Sequence, residues 1–197
     1  MGESPQRGRV AAAKPAARTR SGKRPIVVYT VGHSTRPIDA FIALLAAHEV
    51  DCLADVRTVP KSRHNPQFAG DALAASLAAA GIDYRPFPGL GGFRRASADS
   101  PNAGWRNASF RGYADYMMTP AFAGNLDALI ELGRSATVAA MCAEAVPWRC
   151  HRSLIADALL VRGIASEEIV SEAKTQPHRL TPFAQVAGTT ITYPRPP

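Results

Sequence analysis

Between Thr137 and Ile164 the chain reads TVAAMCAEAVPWRCHRSLIADALLVRGI, an apolar run that passes through a polar turn into an amphipathic segment. The turn gathers Cys142, Glu144, Arg149, Cys150, His151 and Arg152. Thiols, an imidazole, a carboxylate and guanidinium groups at the start of a helix suit a site that makes a nucleophile or holds an anion, because free N–H groups and the dipole favour negative charge there. Cys142 or Cys150 is then the candidate nucleophile, His151 or His33 the base, and Arg57 with Arg152 the anion clamp. A second assignment makes Glu144 the acid/base and the cysteines its apolar support. In a third, Cys142 is a buried small hydrophobe and does no chemistry.

The other candidates follow two further strand-like runs. His33 and Ser34 come directly after Ile26–Gly32, where His33 serves either as a general base or as a structural hydrogen-bonding group. Ser34 either caps the next helix or offers its hydroxyl to an anion. Asp55-Val56-Arg57 ends a second run, and Asp55 is placed to orient Arg57 or an arginine of the later loop. The loop 57–68 carries Lys61, Arg63 and His64 beside Pro60 and Pro66, which reads as a stiff phosphate grip or as a solvated charge run. Tyr113, with Trp105, Phe110 and Tyr116, lines a pocket for a planar ligand or packs in the core. The catalytic candidates are therefore Cys142, Glu144, Cys150, His151, His33 and Asp55, and the substrate-binding ones Ser34, Arg57, Arg63, Tyr113, Arg149 and Arg152. A metal reading joins Cys142, Cys150 and His151 with Glu144, His33 or Asp55, but the spacings do not match the usual zinc patterns, so no metal ligand or cofactor is assigned.

The order strand, Cys142, loop, Arg149, helix is similar to that of cysteine-type phosphatases and rhodaneses, in which loop N–H groups and a guanidinium lower a thiol pKa and bind an oxyanion. The loop here is one residue longer than the phosphatase spacing. Glu144 and Pro147 also stand where a glycine-rich cradle is expected, and a carboxylate there raises a thiol pKa.

These residues need a scaffold, and the hydrophobic pattern supplies one. Ile26–Val31, Cys52–Val56, Ile82–Phe87, Val138–Cys142 and Glu168–Val170 read as strands, and segments 37–48, 71–80, 110–118, 119–133 and 153–162 as helices, with Pro120 at the first turn of its helix. Alternation of this kind predicts a single α/β domain, a three-layer sandwich with a mostly parallel central sheet and its site at the strand carboxyl ends. Pro88-Gly89-Leu90-Gly91-Gly92 reads as a tight turn or flexible lid.

Of the 23 Lys and Arg residues, seven fall in the first 25 positions against one acid, Glu3, so that stretch holds +6 of the net +7. The reading is a disordered basic arm over residues 1–25, an α/β domain over 26–173 and a Pro-rich irregular tail over 174–197. Nucleic acid is expected to meet the arm rather than the folded part. Without a secretory h-region or a long apolar stretch, the chain reads as a cytoplasmic protein with no membrane partner. Three cysteines, an odd number, favour reduced thiols over a disulfide framework.

Tyr29–Ser34, Asp55-Val56-Arg57 with Pro60, Ser62 and Arg63, Leu90-Gly91-Gly92, Phe110–Tyr116, Met141–Glu144 and Cys150-His151-Arg152 together resemble the domain of unknown function 488 (DUF488) family over about Ile26–Val170. The resemblance implies an α/β domain whose charged residues and cysteines cluster as in an enzyme site, with no assigned substrate. The residues themselves point to an anionic small molecule or nucleotide as substrate, since arginines outnumber acids among the candidates. The alternatives are a non-catalytic nucleic-acid-binding protein that uses the arm, and a Cys/His metal-binding protein.

Overall fold

Strand β1 (Val27–Gly32) is the hub of the fold, and its neighbours come from much later in the chain. The computed structural model describes residues 25–195, so residues 1–24, nearly all of the expected basic arm, lie outside the described residues. After β1 come α1 (Ile38–Ala47), β2 (Cys52–Asp55), α2 (Gly70–Ala79), β3 (Asp83–Pro86), α3 (Ala108–Met117), α4 (Pro120–Ser135), β4 (Val138–Cys142), α5 (Arg152–Val161) and β5 (Ala165–Ser171). A final segment adds β6 (Lys174–Pro177), β7 (Gln185–Ala187) and β8 (Thr190–Thr192). The main sheet has the order β3-β2-β4-β1-β5-β6; the first five strands are parallel, and β6 runs antiparallel to β5.

Each helix face explains its layer. Phe41, Leu44 and Leu45 of α1 and Leu73 and Leu77 of α2 pack with Val31, Leu53 and Met141 on one side of the sheet. Phe110 and Tyr113 of α3, Phe122, Leu126 and Leu129 of α4 and Leu154, Ile155 and Leu159 of α5 pack with Val28, Ala54 and Ala140 on the other. The result is the three-layer α/β sandwich that strand–helix alternation predicts. Local signals set the helix starts. The Asn107 side chain accepts from Ser109 N–H and Phe110 N–H, and the Thr119 hydroxyl accepts from Phe122 N–H with Pro120 in the first turn.

The C-terminal segment departs from the irregular tail expected over 174–197. Three of its stretches are strands: β6 pairs with β5, and β7 pairs with β8, where Ile191 and then Tyr193 alternate inward and are buried. Tyr193 packs on Trp105 and Phe183, its N–H donates to Asn102 Oδ1 at 2.8 Å, and its hydroxyl donates to Asp157 Oδ2 at 2.8 Å. Asp157, wholly buried on α5, also accepts from Thr181 and from His178 Nε2. The segment thus closes over the helix that follows the candidate site. Among the described residues no helix is long and apolar enough to cross a membrane.

Candidate functional site

Strand β4 lies between β1 and β2, both of which lead into helices on one face of the sheet, whereas β4 leads into α5 on the other. Loops that leave neighbouring strands in opposite directions open a crevice at the strand carboxyl ends. Cys142 is the last residue of β4 and stands at that opening. The crevice widens into a cleft of about 730 Å³ whose lining includes His33, Ser34, Arg57, Cys142, Glu144 and Arg149.

The cysteines form a pair. Cys142 Sγ and Cys150 Sγ are 2.7 Å apart, and both residues are buried. Three further donors face the sulfurs: Glu144 N–H at 3.3 Å and Arg152 Nη1 at 3.3 Å from Cys142, and Arg152 N–H at 3.5 Å from Cys150. Burial pushes the Cys142 thiol up, but the hydrogen bond with Cys150, the Arg152 guanidinium and the Glu144 N–H outweigh it and hold the thiol below its ordinary value. Cys150 is driven well above its ordinary value by that same hydrogen bond and by burial. With two further donors on Cys142 against one on Cys150, the arrangement favours negative charge on Cys142, with Cys150 as the donor between the two sulfurs.

Arg152 can touch a sulfur from the interior because its charge is compensated there. Its side chain is 0% exposed; Nη2 pairs with Glu168 Oε1 at 3.1 Å, and Glu168 in turn accepts from the Thr30 hydroxyl. Gly32 is what lets the loop come so close. A Cβ on it would stand 2.0 Å from the Glu144 carbonyl oxygen and 2.7 Å from Arg152 Nη1.

His151 is held in one tautomer. A carbonyl only accepts, so Nε2–H donates to Val56 O at 3.1 Å, which leaves the Nδ1 lone pair facing Cys150 Sγ at 3.5 Å. Burial lowers its pKa to about 4, against the opposing pull of the Val56 carbonyl, so the ring is neutral near pH 7. Tyr113 tilts against the ring, and Gly92 lies so close that a Cβ there would come within 2.6 Å of Nδ1. The Leu90-Gly91-Gly92 stretch therefore supports the imidazole.

On the β1 and β2 side, Asp55 accepts from Arg57 Nε at 2.8 Å and Nη2 at 2.5 Å, and from the Tyr84 hydroxyl at 2.7 Å. Arg57 Nη1 donates to Phe68 O at 2.9 Å and lies 3.4 Å from His33 Nε2. His33 stacks on Phe68 and donates from Nδ1 to Ser34 O at 2.7 Å; burial lowers its pKa to about 4. Ser34 adopts φ 52°, an uncommon conformation for a residue with a side chain.

The geometry sorts the sequence candidates. Cys142, Cys150, His151, His33, Ser34, Arg57, Glu144 and Arg149 line the cleft, and Lys61 joins them. Asp55 sits behind it, holding Arg57. Arg63 is exposed and lies outside the lining. Tyr113 is fully buried outside the lining, gives its hydroxyl to Leu90 O and tilts against the His151 ring. Arg152 lies behind the lining, with Nη1 directed to Cys142 Sγ and Glu144 O and Nη2 to Glu168, while its Nε has no partner among the described residues. Glu144 exposes its side chain and offers its backbone to Cys142. Among the described residues no group of three or more His, Cys, Asp or Glu side chains is arranged to hold a metal ion.

Sequence reasoning missed Glu168 and Thr30. Their signal, a carboxylate and a hydroxyl inside runs read as strands, acquires meaning only once β5 is placed beside β1. Among known families, the model described as "Domain of unknown function DUF488" matches residues 37–159. No curated protein and no solved structure matches.

Proposed function

Since the chain belongs to the DUF488 family, a domain of unknown function, we propose its activity from the cleft itself: a thiol-dependent enzyme in which Cys142 attacks an anionic substrate. The observation that carries this reading is the set of donors converging on Cys142 Sγ: Cys150 Sγ at 2.7 Å, and Arg152 Nη1 and Glu144 N–H each at 3.3 Å. A sulfur so surrounded is stabilised as the thiolate, the form that acts as a nucleophile.

Charge along the cleft supports an anionic substrate. Arg57, Lys61 and Arg149 line it against one acid, Glu144. Arg57 is neutralised by Asp55, whereas Lys61 and Arg149 have no carboxylate partner among the described residues. Lys61 and Arg149 meet the anion in this reading, and Arg57 with His33 forms the wall that fixes its position.

The test is the alkylation rate of each cysteine against pH, by peptide mass spectrometry, with and without inorganic phosphate. Cys142 labels at neutral pH well ahead of Cys52, whose thiol burial pushes up to about 11, and phosphate slows it. The phosphate protection disappears in Lys61→Ala/Arg149→Ala. Labelling of Cys142 no faster than that of Cys52 would overturn the proposal.

A further inference from the structure

A thiol in contact with a nucleophilic cysteine can take part in sulfur chemistry beyond a single attack. Once Cys142 carries a sulfur-linked adduct, Cys150 Sγ stands nearer to it than a solvent nucleophile, with the advantage of an intramolecular reactant. From this contact, and resting on Cys142 as the nucleophile, we infer that the pair is a redox centre: Cys142 attacks the S–S bond of an anionic organic disulfide, and Cys150 resolves the mixed disulfide.

The steps balance. The Cys142 thiolate forms a bond to one substrate sulfur, and the substrate S–S bond breaks to release the other sulfur as a thiolate. Cys150 then attacks Cys142 Sγ as its proton leaves to solvent by way of His151 Nδ1, 3.5 Å away. The mixed S–S bond breaks, the second substrate thiolate leaves, and a Cys142–Cys150 disulfide remains. The substrate disulfide has gained two electrons and the protein dithiol has lost two. A dithiol reductant, small molecule or protein, returns the pair to its starting state.

Three observations fit this order. The sulfurs must approach by only about 0.7 Å to reach the ~2.05 Å of a disulfide bond. The Cys142 sulfur is 2.7 Å from Cys150 Sγ, so the first step, which removes a negative charge there, favours ionisation of the resolving thiol. Arg152 N–H, 3.5 Å from Cys150 Sγ, supports the new thiolate. The cleft also carries the 83% exposed Phe93 beside its cations, which suits an organic group attached to the anion.

The probe is dithiobis(nitrobenzoate), an anionic aromatic disulfide whose released thiolate is coloured, applied to the full chain with Cys52→Ala so that two thiols remain. The parent protein releases two thiolates, retains none, and yields a Cys142–Cys150 disulfide by peptide mapping that dithiothreitol reverses. Cys150→Ser releases one thiolate and retains one on Cys142. Cys142→Ser reacts at least about tenfold more slowly, because its remaining thiol is not the stabilised one. A parent protein that keeps a stable adduct on Cys142 beside a free Cys150 overturns the inference while Cys142 stands as the nucleophile. Reaction of Cys142→Ser at the parental rate, with the adduct on Cys150, overturns both. Circular dichroism of each variant confirms the fold before the comparison.

Discussion

Replacing Cys150 with alanine removes the donor 2.7 Å from Cys142 Sγ and leaves Arg152 and the Glu144 N–H in place. A hydrogen bond to a charged group contributes about 1.5–3 kcal/mol, and one pKa unit is about 1.4 kcal/mol, so the Cys142 pKa rises by about 1–2 units. Water entering the vacated space restores part of the loss, which places the expected rise near one unit. The assay is alkylation of Cys142 by iodoacetamide across pH in a Cys52→Ala background. Two changes follow together. The midpoint of the profile moves up by about one unit, and the high-pH plateau rises about threefold, because thiolate nucleophilicity grows with basicity at a slope of about 0.4–0.5. On the acidic limb these combine into a net slowing of about threefold. A midpoint that stays in place or moves down refutes the claim that Cys150 donates to a Cys142 thiolate.

Glu168→Ala strips the buried Arg152 of its carboxylate and lowers stability by about 3–5 kcal/mol, read from urea unfolding. His33 and His151 each have a folded-state pKa of about 4 against 6.5 unfolded, so the folded state binds fewer protons; stability is fully present above about pH 6.5 and is lost as pH falls towards 4. The slope there approaches about 1.4 kcal/mol per pH unit for each histidine, and urea midpoints across that window check it. Deleting residues 189–197 removes Ile191, Tyr193 and a hydrogen bond to Asp157, and costs on the order of 5 kcal/mol. Tyr193→Phe alone costs about 1.5–3 kcal/mol, and equal unfolding midpoints for the two variants would show that the hairpin contributes nothing beyond that bond.

What the sequence revealed depended on how local the cause was. The run Val138–Cys142 is uniformly apolar, with Thr137 before it and Glu144 two residues after it, and β4 has those same limits. Pro120 and Gly163 mark helix ends by backbone constraint alone, and helix ends lie beside both. The cysteine, histidine and arginine positions of the turn were legible as a cluster because one loop carries them all. The burial of Arg152 is not legible in its own loop, because it depends on β5 crossing to the far side of β1, where Glu168 meets it. The roles of Tyr113 and Gly92 were hidden in the same way, since both depend on where His151 comes to rest. The C-terminal prolines suggested an irregular tail, although the alternating Thr190-Ile191-Thr192-Tyr193 carried a strand signal within it.

The placement of β1 has a consequence for how the chain is made. It is the first strand among the described residues, yet its two sheet neighbours are β4 and β5, so its backbone groups wait for more than a hundred further residues before they are paired. Asp157 on α5 waits longer still, for Thr181 and then Tyr193. Contacts so distant in sequence are slow to form, and a domain of this kind completes its fold as a unit rather than strand by strand during translation. A chain interrupted just before Tyr193 would therefore carry every residue of the thiol cluster while leaving Asp157, on the helix behind it, without its last partner.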